Sequence, residues 1–84
     1  MANVVIYSAD WCPFCVRAKR LLEQKGVKYK EVNVDQHPGE RQRIMTQTGM
    51  RTIPQIFIND EFIGGYTDLA AIDRTGELDK KLKA

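Results

Sequence analysis

The order of apolar and polar residues changes period several times along the chain, and each change marks an element. Asn3 to Ser8 carries Val4, Val5, Ile6 and Tyr7 in a near-continuous apolar run of β-favouring residues. Such a run predicts a central strand buried on both faces. From Pro13 the spacing becomes helical, with Ala18, Leu21 and Leu22 opposite Arg17, Arg20, Glu23 and Gln24. Pro13 suits a first helical turn and Gly26 supplies the stop. Lys28 to Val34 returns to a two-residue alternation, Tyr29 between Lys28 and Lys30 and then Val32 and Val34 about Asn33, which predicts a strand with one wet face. Pro38 to Thr48 predicts a second helix with a thin apolar stripe, Ile44 and Met45, ended by Gly49.

Gln55-Ile56-Phe57-Ile58, Asn59-Asp60 and Glu61-Phe62-Ile63-Gly64 predict a β-hairpin, because Asn and Asp tolerate the left-handed backbone of a two-residue turn. A third helix is predicted to begin near Thr67-Asp68, which can cap it, to carry Leu69 and Ile72 inward and to end at Gly76. Leu78 and Leu82, four apart, predict a short closing helical segment. The order β-α-β-α-β-β-α opens with a right-handed parallel crossover and adds an antiparallel pair. It predicts an α/β fold, a mixed sheet flanked by helices, whose strand order the pattern leaves open.

Composition narrows the class. The 84 residues leave room for one hydrophobic core, so 1–84 is expected to be a single domain. With 43% hydrophobic and 29% charged residues the chain is far from disordered or collagen-like compositions. No run approaches the roughly 18 apolar residues of a membrane span, and the residues before Val4 lack the basic start of a signal peptide. No membrane association and a cytoplasmic location are expected. A net charge of +2 is too small to predict nucleic-acid binding without a clustered patch, and is compatible with small anionic partners.

The two cysteines carry the chemistry. Cys12 and Cys15 are separated only by Pro13-Phe14. A bridge closing so short a loop restrains little of the unfolded chain, and cytosolic thiols are kept reduced, so the pair is chemical rather than architectural. Cys12 stands at the start of a helix, where free N–H groups and the positive end of the dipole stabilise a thiolate. Cys15 lies one turn on, placed to attack a mixed disulfide formed at Cys12 and release its partner. The catalytic residues expected are therefore Cys12 as nucleophile and Cys15 as resolving thiol. Phe14 offers a ring for a bound peptide, and Arg17, Lys19 and Arg20 add a modest positive field.

Other uses of the motif are weaker. Zinc needs about four ligands, and His37 is the only nitrogen donor in the chain besides the two thiols, so no metal is expected. An iron–sulfur cluster shared between chains stays an alternative, although the Pro-Phe insert crowds the space beside Cys12.

Two further segments support the motif. Ile53-Pro54 either opens a strand or forms a cis peptide that turns the Ile53 N–H and C=O toward an extended substrate. Gly64-Gly65-Tyr66-Thr67-Asp68 is either an ordinary glycine turn with a cap or a carboxylate site at a helix start, where Asp68 can also take an ammonium. The functional reading of both rests on their falling, with the cysteines, at one end of the sheet.

Tyr7-Ser8, Cys12-Pro13-Phe14-Cys15, Thr52-Ile53-Pro54-Gln55-Ile56-Phe57-Ile58 and Gly64-Gly65 through Asp68, in this order over nearly the whole chain, resemble the short bacterial dithiol glutaredoxins of the glutaredoxin 3 type. The resemblance implies a thioredoxin-like fold with a four-stranded mixed sheet, a cis Pro54, and a monomer. It implies no tightly bound cofactor, with glutathione as co-substrate and protein disulfides or glutathionylated proteins as partners. It implies glutathione contacts at Cys12, Phe14, Thr52, Ile53, Pro54, Gly65, Tyr66, Thr67 and Asp68. Ala9 departs from the family, which usually carries a lysine there. Trp11 is similar to the tryptophan before the thioredoxin motif, but thioredoxins have an extra strand and helix upstream. Reduction by thioredoxin reductase in place of glutathione is the alternative within the same chemistry, and the Gly65 to Asp68 segment argues against it.

Overall fold

The antiparallel registers between three strands determine where everything else goes. The computed structural model describes residues 2–83. Its strands are β1 (Val4–Ser8), β2 (Lys30–Asn33), β3 (Gln55–Ile58) and β4 (Glu61–Gly64); its helices are α1 (Pro13–Gln24), α2 (Pro38–Thr48), α3 (Tyr66–Arg74) and α4 (Glu77–Lys83). The sheet runs β2-β1-β3-β4, with β1 parallel to β2 and antiparallel to β3, and β3 antiparallel to β4. Tyr7 near the end of β1 pairs with Gln55 at the start of β3, and Ile56 pairs with Gly64 at the end of β4. Those registers bring the β1–α1, α2–β3 and β4–α3 connections to one end of the sheet.

One face of the sheet holds the main core. Val4 and Ile6 of β1, with Ile56 and Ile58 of β3, pack with Ala18 and Leu22 of α1, Leu69 of α3 and Leu78 of α4, all essentially without solvent exposure. The opposite face is only half covered, which corrects the expectation that β1 is buried on both sides. Val5 and Tyr7 alternate with the buried positions and stay partly exposed. The cause is α2, whose only buried residue is Ile44. An apolar stripe that thin cannot cover a sheet face. Tyr7, Phe57 and Phe62 instead pack on one another there, with ring centroids 5.9 and 5.1 Å apart.

The turn chemistry follows the residues. Asn59 and Asp60 both have positive φ, 52° and 67°, which is the two-residue hairpin turn that their tolerance of left-handed backbone predicts. Helix α3 starts at Tyr66, ahead of the expected Thr67-Asp68 cap. The capping contact runs backward: the Gly65 N–H donates to the Asp68 carboxylate at 3.0 Å. A carboxylate in the first turn satisfies the donor before the helix as well as a preceding side chain does. Gly64 makes this possible, because its φ of +121° suits glycine and a Cβ there would collide with the Asp68 carboxylate. No helix among the described residues is long and apolar enough to cross a membrane.

Candidate active site

Cys12 is the N-cap of α1, in extended backbone with φ −90° and ψ 112°. That geometry turns its sulfur back over the first turn, where it accepts the Cys15 N–H at 3.2 Å. Pro13 at the next position has no N–H to leave unpaired, so it starts the helix without adding an orphan donor. The Cys12 thiol also points across to the α2–β3 loop and donates to the Ile53 carbonyl at 3.7 Å. Ile53-Pro54 is the cis peptide that the resemblance implies. Both sulfurs are free thiols.

The two cysteines differ in surroundings. Cys15 has no solvent exposure, whereas Cys12 lies at the rim with 4%. Burial pushes the Cys15 thiol up to about 12, and the hydrogen bond with Cys12 adds to the rise. Cys15 is therefore a protonated thiol at neutral pH, held in reserve beside a sulfur that already receives an N–H. Ala9, where the family usually has lysine, is buried behind the pair, and its carbonyl accepts the Cys12 N–H at 3.3 Å.

Beside Cys12 lies a depression of about 310 Å³. Phe14 from α1, Thr52, Ile53 and Pro54 from the α2–β3 loop, and Gly65, Tyr66, Thr67 and Asp68 from the start of α3 line it. Eight of the nine residues that the resemblance implies for glutathione line this groove; Cys12 does not line it and reaches it through its hydrogen bond to Ile53. The Phe14 and Tyr66 rings face each other at 6.2 Å and narrow it from two sides. At the far end the α3 N-terminus is already occupied in part, since the Asp68 carboxylate caps it.

The positive field of α1 is smaller than its residues suggest. The Arg17 guanidinium lies over the Phe14 ring, 5.4 Å from its centroid. Lys19 is paired with Glu31 of β2 at 3.0 Å, and the same carboxylate oxygen accepts the buried Ser8 hydroxyl at 2.6 Å. Those bonds, the Ser8 one first, hold the Glu31 carboxyl below its usual range. Trp11 is the most exposed large apolar residue, yet its indole N–H donates to Asp35, which orients the ring beside the motif. His37 caps α2 without a side-chain hydrogen bond, and the described residues contain no group of three or more His, Cys, Asp or Glu able to hold a metal.

Met50 and Gln55 are not among the site residues expected from the sequence. Met50 lines the groove against Gly65. Gln55 is fully buried directly behind the wall that Ile53 and Pro54 make. A polar residue opening an otherwise apolar strand was the one available hint for Gln55; nothing in the pattern distinguished Met50.

Comparison with known proteins agrees with this geometry. The family model for glutaredoxin matches residues 4–63. A glutaredoxin of Pseudomonas aeruginosa is 45% identical over 84 residues, covering all of both chains, and glutaredoxin 3 of Escherichia coli K12 is 47% identical over 83 residues, covering 99% of this chain and all of that one. Among solved structures, buckwheat glutaredoxin in complex with glutathione superposes with a TM-score of 0.91 at 32% identity, covering 98% of this chain and 77% of the other. The Brucella melitensis glutaredoxin gives 0.85 at 40% identity, covering 95% and 87%. The fold is thioredoxin-like.

Proposed function

This chain belongs to the glutaredoxin family of thiol–disulfide oxidoreductases, and on that premise we propose that it uses glutathione to reduce protein disulfides and glutathionylated proteins through Cys12 and Cys15. The observation that carries the proposal is the groove beside Cys12. It presents the Ile53 backbone, whose carbonyl receives the Cys12 thiol, to an extended thiol peptide, and a helix start with Asp68 to a terminus bearing both charges.

On a glutathionylated protein, the Cys12 thiolate attacks the glutathione sulfur. The disulfide breaks, the protein leaves as a thiolate that takes up a proton, and glutathione stays on Cys12 in the groove. A second glutathione thiolate then attacks the glutathione sulfur of that adduct, giving glutathione disulfide and the Cys12 thiolate. On a protein disulfide, Cys12 forms a mixed disulfide with the substrate, and Cys15 displaces the substrate from it. The Cys15 proton passes to the departing thiolate. Two glutathione molecules return the resulting Cys12–Cys15 disulfide to the dithiol.

The surroundings of Cys15 suit this order. Burial, the main cause of its raised pKa, keeps Cys15 a thiol while Cys12 reacts first. No tightly bound cofactor is required, and a single domain over 1–84 acting as a monomer in a reducing compartment such as the cytosol fits the reaction.

Kinetics of two variants test the reading. Cys12→Ser abolishes turnover of a glutathionylated peptide and of a protein disulfide alike. Cys15→Ser keeps turnover of the glutathionylated peptide and loses dithiol reduction of the protein disulfide. Equal behaviour of the two variants on the glutathionylated peptide would overturn the assignment of roles.

A further inference from the structure

Behind the groove wall sits a buried polar side chain for which the thiol chemistry has no use. Gln55 has no solvent exposure. An amide taken out of water costs free energy unless its donors and acceptor are met. Its nitrogen donates to the Met50 carbonyl at 2.8 Å and to the Thr52 carbonyl at 3.1 Å, and its oxygen lies 2.8 Å from the Thr48 hydroxyl. That hydroxyl accepts the Met50 N–H at 3.2 Å and lies 3.0 Å from the Ile44 carbonyl, so its single proton is shared between Ile44 and Gln55.

The partners fix the orientation of the amide. Flipped, its oxygen would face two carbonyl oxygens, an arrangement with no proton between them. As placed, one NH₂ group grips the carbonyls on either side of Arg51. It holds both ends of the turn that delivers Met50, Thr52 and Ile53 to the groove. Among the described residues no side chain other than Gln55 and Thr48 hydrogen-bonds to the backbone of residues 50–52. All of these bonds serve the loop, and none of them bridges helices of the main core.

We propose that Gln55 is a positioning residue, whose buried amide sets the place of the Met50–Ile53 backbone and so the affinity of the groove for the peptide of a glutathionyl substrate. It acts on binding and leaves the thiols alone. The inference rests on the reading of this groove as the glutathione site.

The test compares Gln55→Leu, which keeps the bulk without the amide, with Thr48→Val, which removes the hydroxyl that holds the amide oxygen. Turnover of a glutathionylated peptide is measured beside alkylation of Cys12 by iodoacetamide. With all three hydrogen bonds of the amide lost in Gln55→Leu, and the hydroxyl's bonds to the amide and to the Met50 N–H lost in Thr48→Val, the KM for the peptide rises about tenfold and about threefold respectively. Neither kcat nor the alkylation rate changes more than about twofold.

Gln55→Glu adds a readout that a purely structural role does not move. Ionised, it turns a carboxylate toward two carbonyls and raises KM. Protonated, it donates to one of them again, so KM returns toward the wild-type value at the same pH as the pH is lowered. The charged and titratable groups around that position are Tyr7, its register partner on β1, Arg43 of α2, which donates to the Tyr7 hydroxyl, and Arg51 within the loop. Should Gln55→Leu fail to fold, Thr48→Val and Gln55→Glu decide the question. An unchanged KM in the folded variants overturns the proposal. So does a joint fall of kcat and alkylation rate with the rise in KM, or a Gln55→Glu KM that does not recover at low pH. A wild-type protein inactive on the glutathionylated peptide overturns the functional reading instead, which separates the two failures.

Discussion

Cys12 and Cys15 are the same side chain one helical turn apart, and what surrounds each sulfur sets the two apart. Cys15 has no solvent exposure, so its anion would have to form without water. Iodoacetamide at about pH 8 is expected to modify one thiol of the folded chain, Cys12, as mapped by peptide mass spectrometry; denaturant exposes the second. The same burial links to stability. The Cys15 pKa rises from an ordinary 9.0 to about 12 on folding, so the folded chain keeps a proton that the unfolded chain gives up. Its contribution to stability is complete below pH 9 and is lost as pH rises from there toward 12. Denaturant melts across alkaline pH should show this fall, and Cys15→Ser should flatten it. That the two thiols differ in surroundings was legible from the position of the motif at a helix start. The extent of Cys15 burial was not, because it depends on how β1 and α1 close over it.

At the scale of elements, the junction of β4 with α3 is the tightest piece of local design. Gly64 must adopt φ +121° so that Asp68 can reach back to the Gly65 N–H and cap the helix that forms the far end of the groove. Gly64→Ala combines unfavourable backbone with a clash against that carboxylate. It is expected to cost about 2 kcal/mol, seen as a drop in Tm of roughly 10 °C for a domain of this size. The paired glycines announced a turn here, and the hairpin before it was readable from Asn59-Asp60 for the same reason: both signals are local backbone demands. The start of α3 was misplaced because Asp68 acts from inside the helix, and the pattern does not distinguish a residue capping from ahead from one reaching back. The half-open face of β1 was missed on different grounds. A run of four apolar residues predicts burial on both sides only if the covering helix has an apolar stripe wide enough, and α2 offers Ile44 alone.

For the molecule as a whole, the sheet separates stability from chemistry. The core on one face, closed by α1, α3 and α4, fixes the strands. The registers of β1, β3 and β4 then gather three loops at one end, and those loops hold the thiols and the groove. The convergence of the loops was readable once the hairpin and the crossover were recognised, whereas strand order and the parts played by Met50 and Gln55 depend on contacts between segments far apart in sequence. The central claim is that Cys12 takes glutathione from a substrate while the groove holds it. Intact-mass spectrometry of Cys15→Ser after mixing with a glutathionylated peptide tests it directly. The account predicts one glutathione per chain, located on Cys12 and released by added glutathione. A chain that stays unmodified, or that carries the peptide in place of glutathione on Cys12, would contradict it.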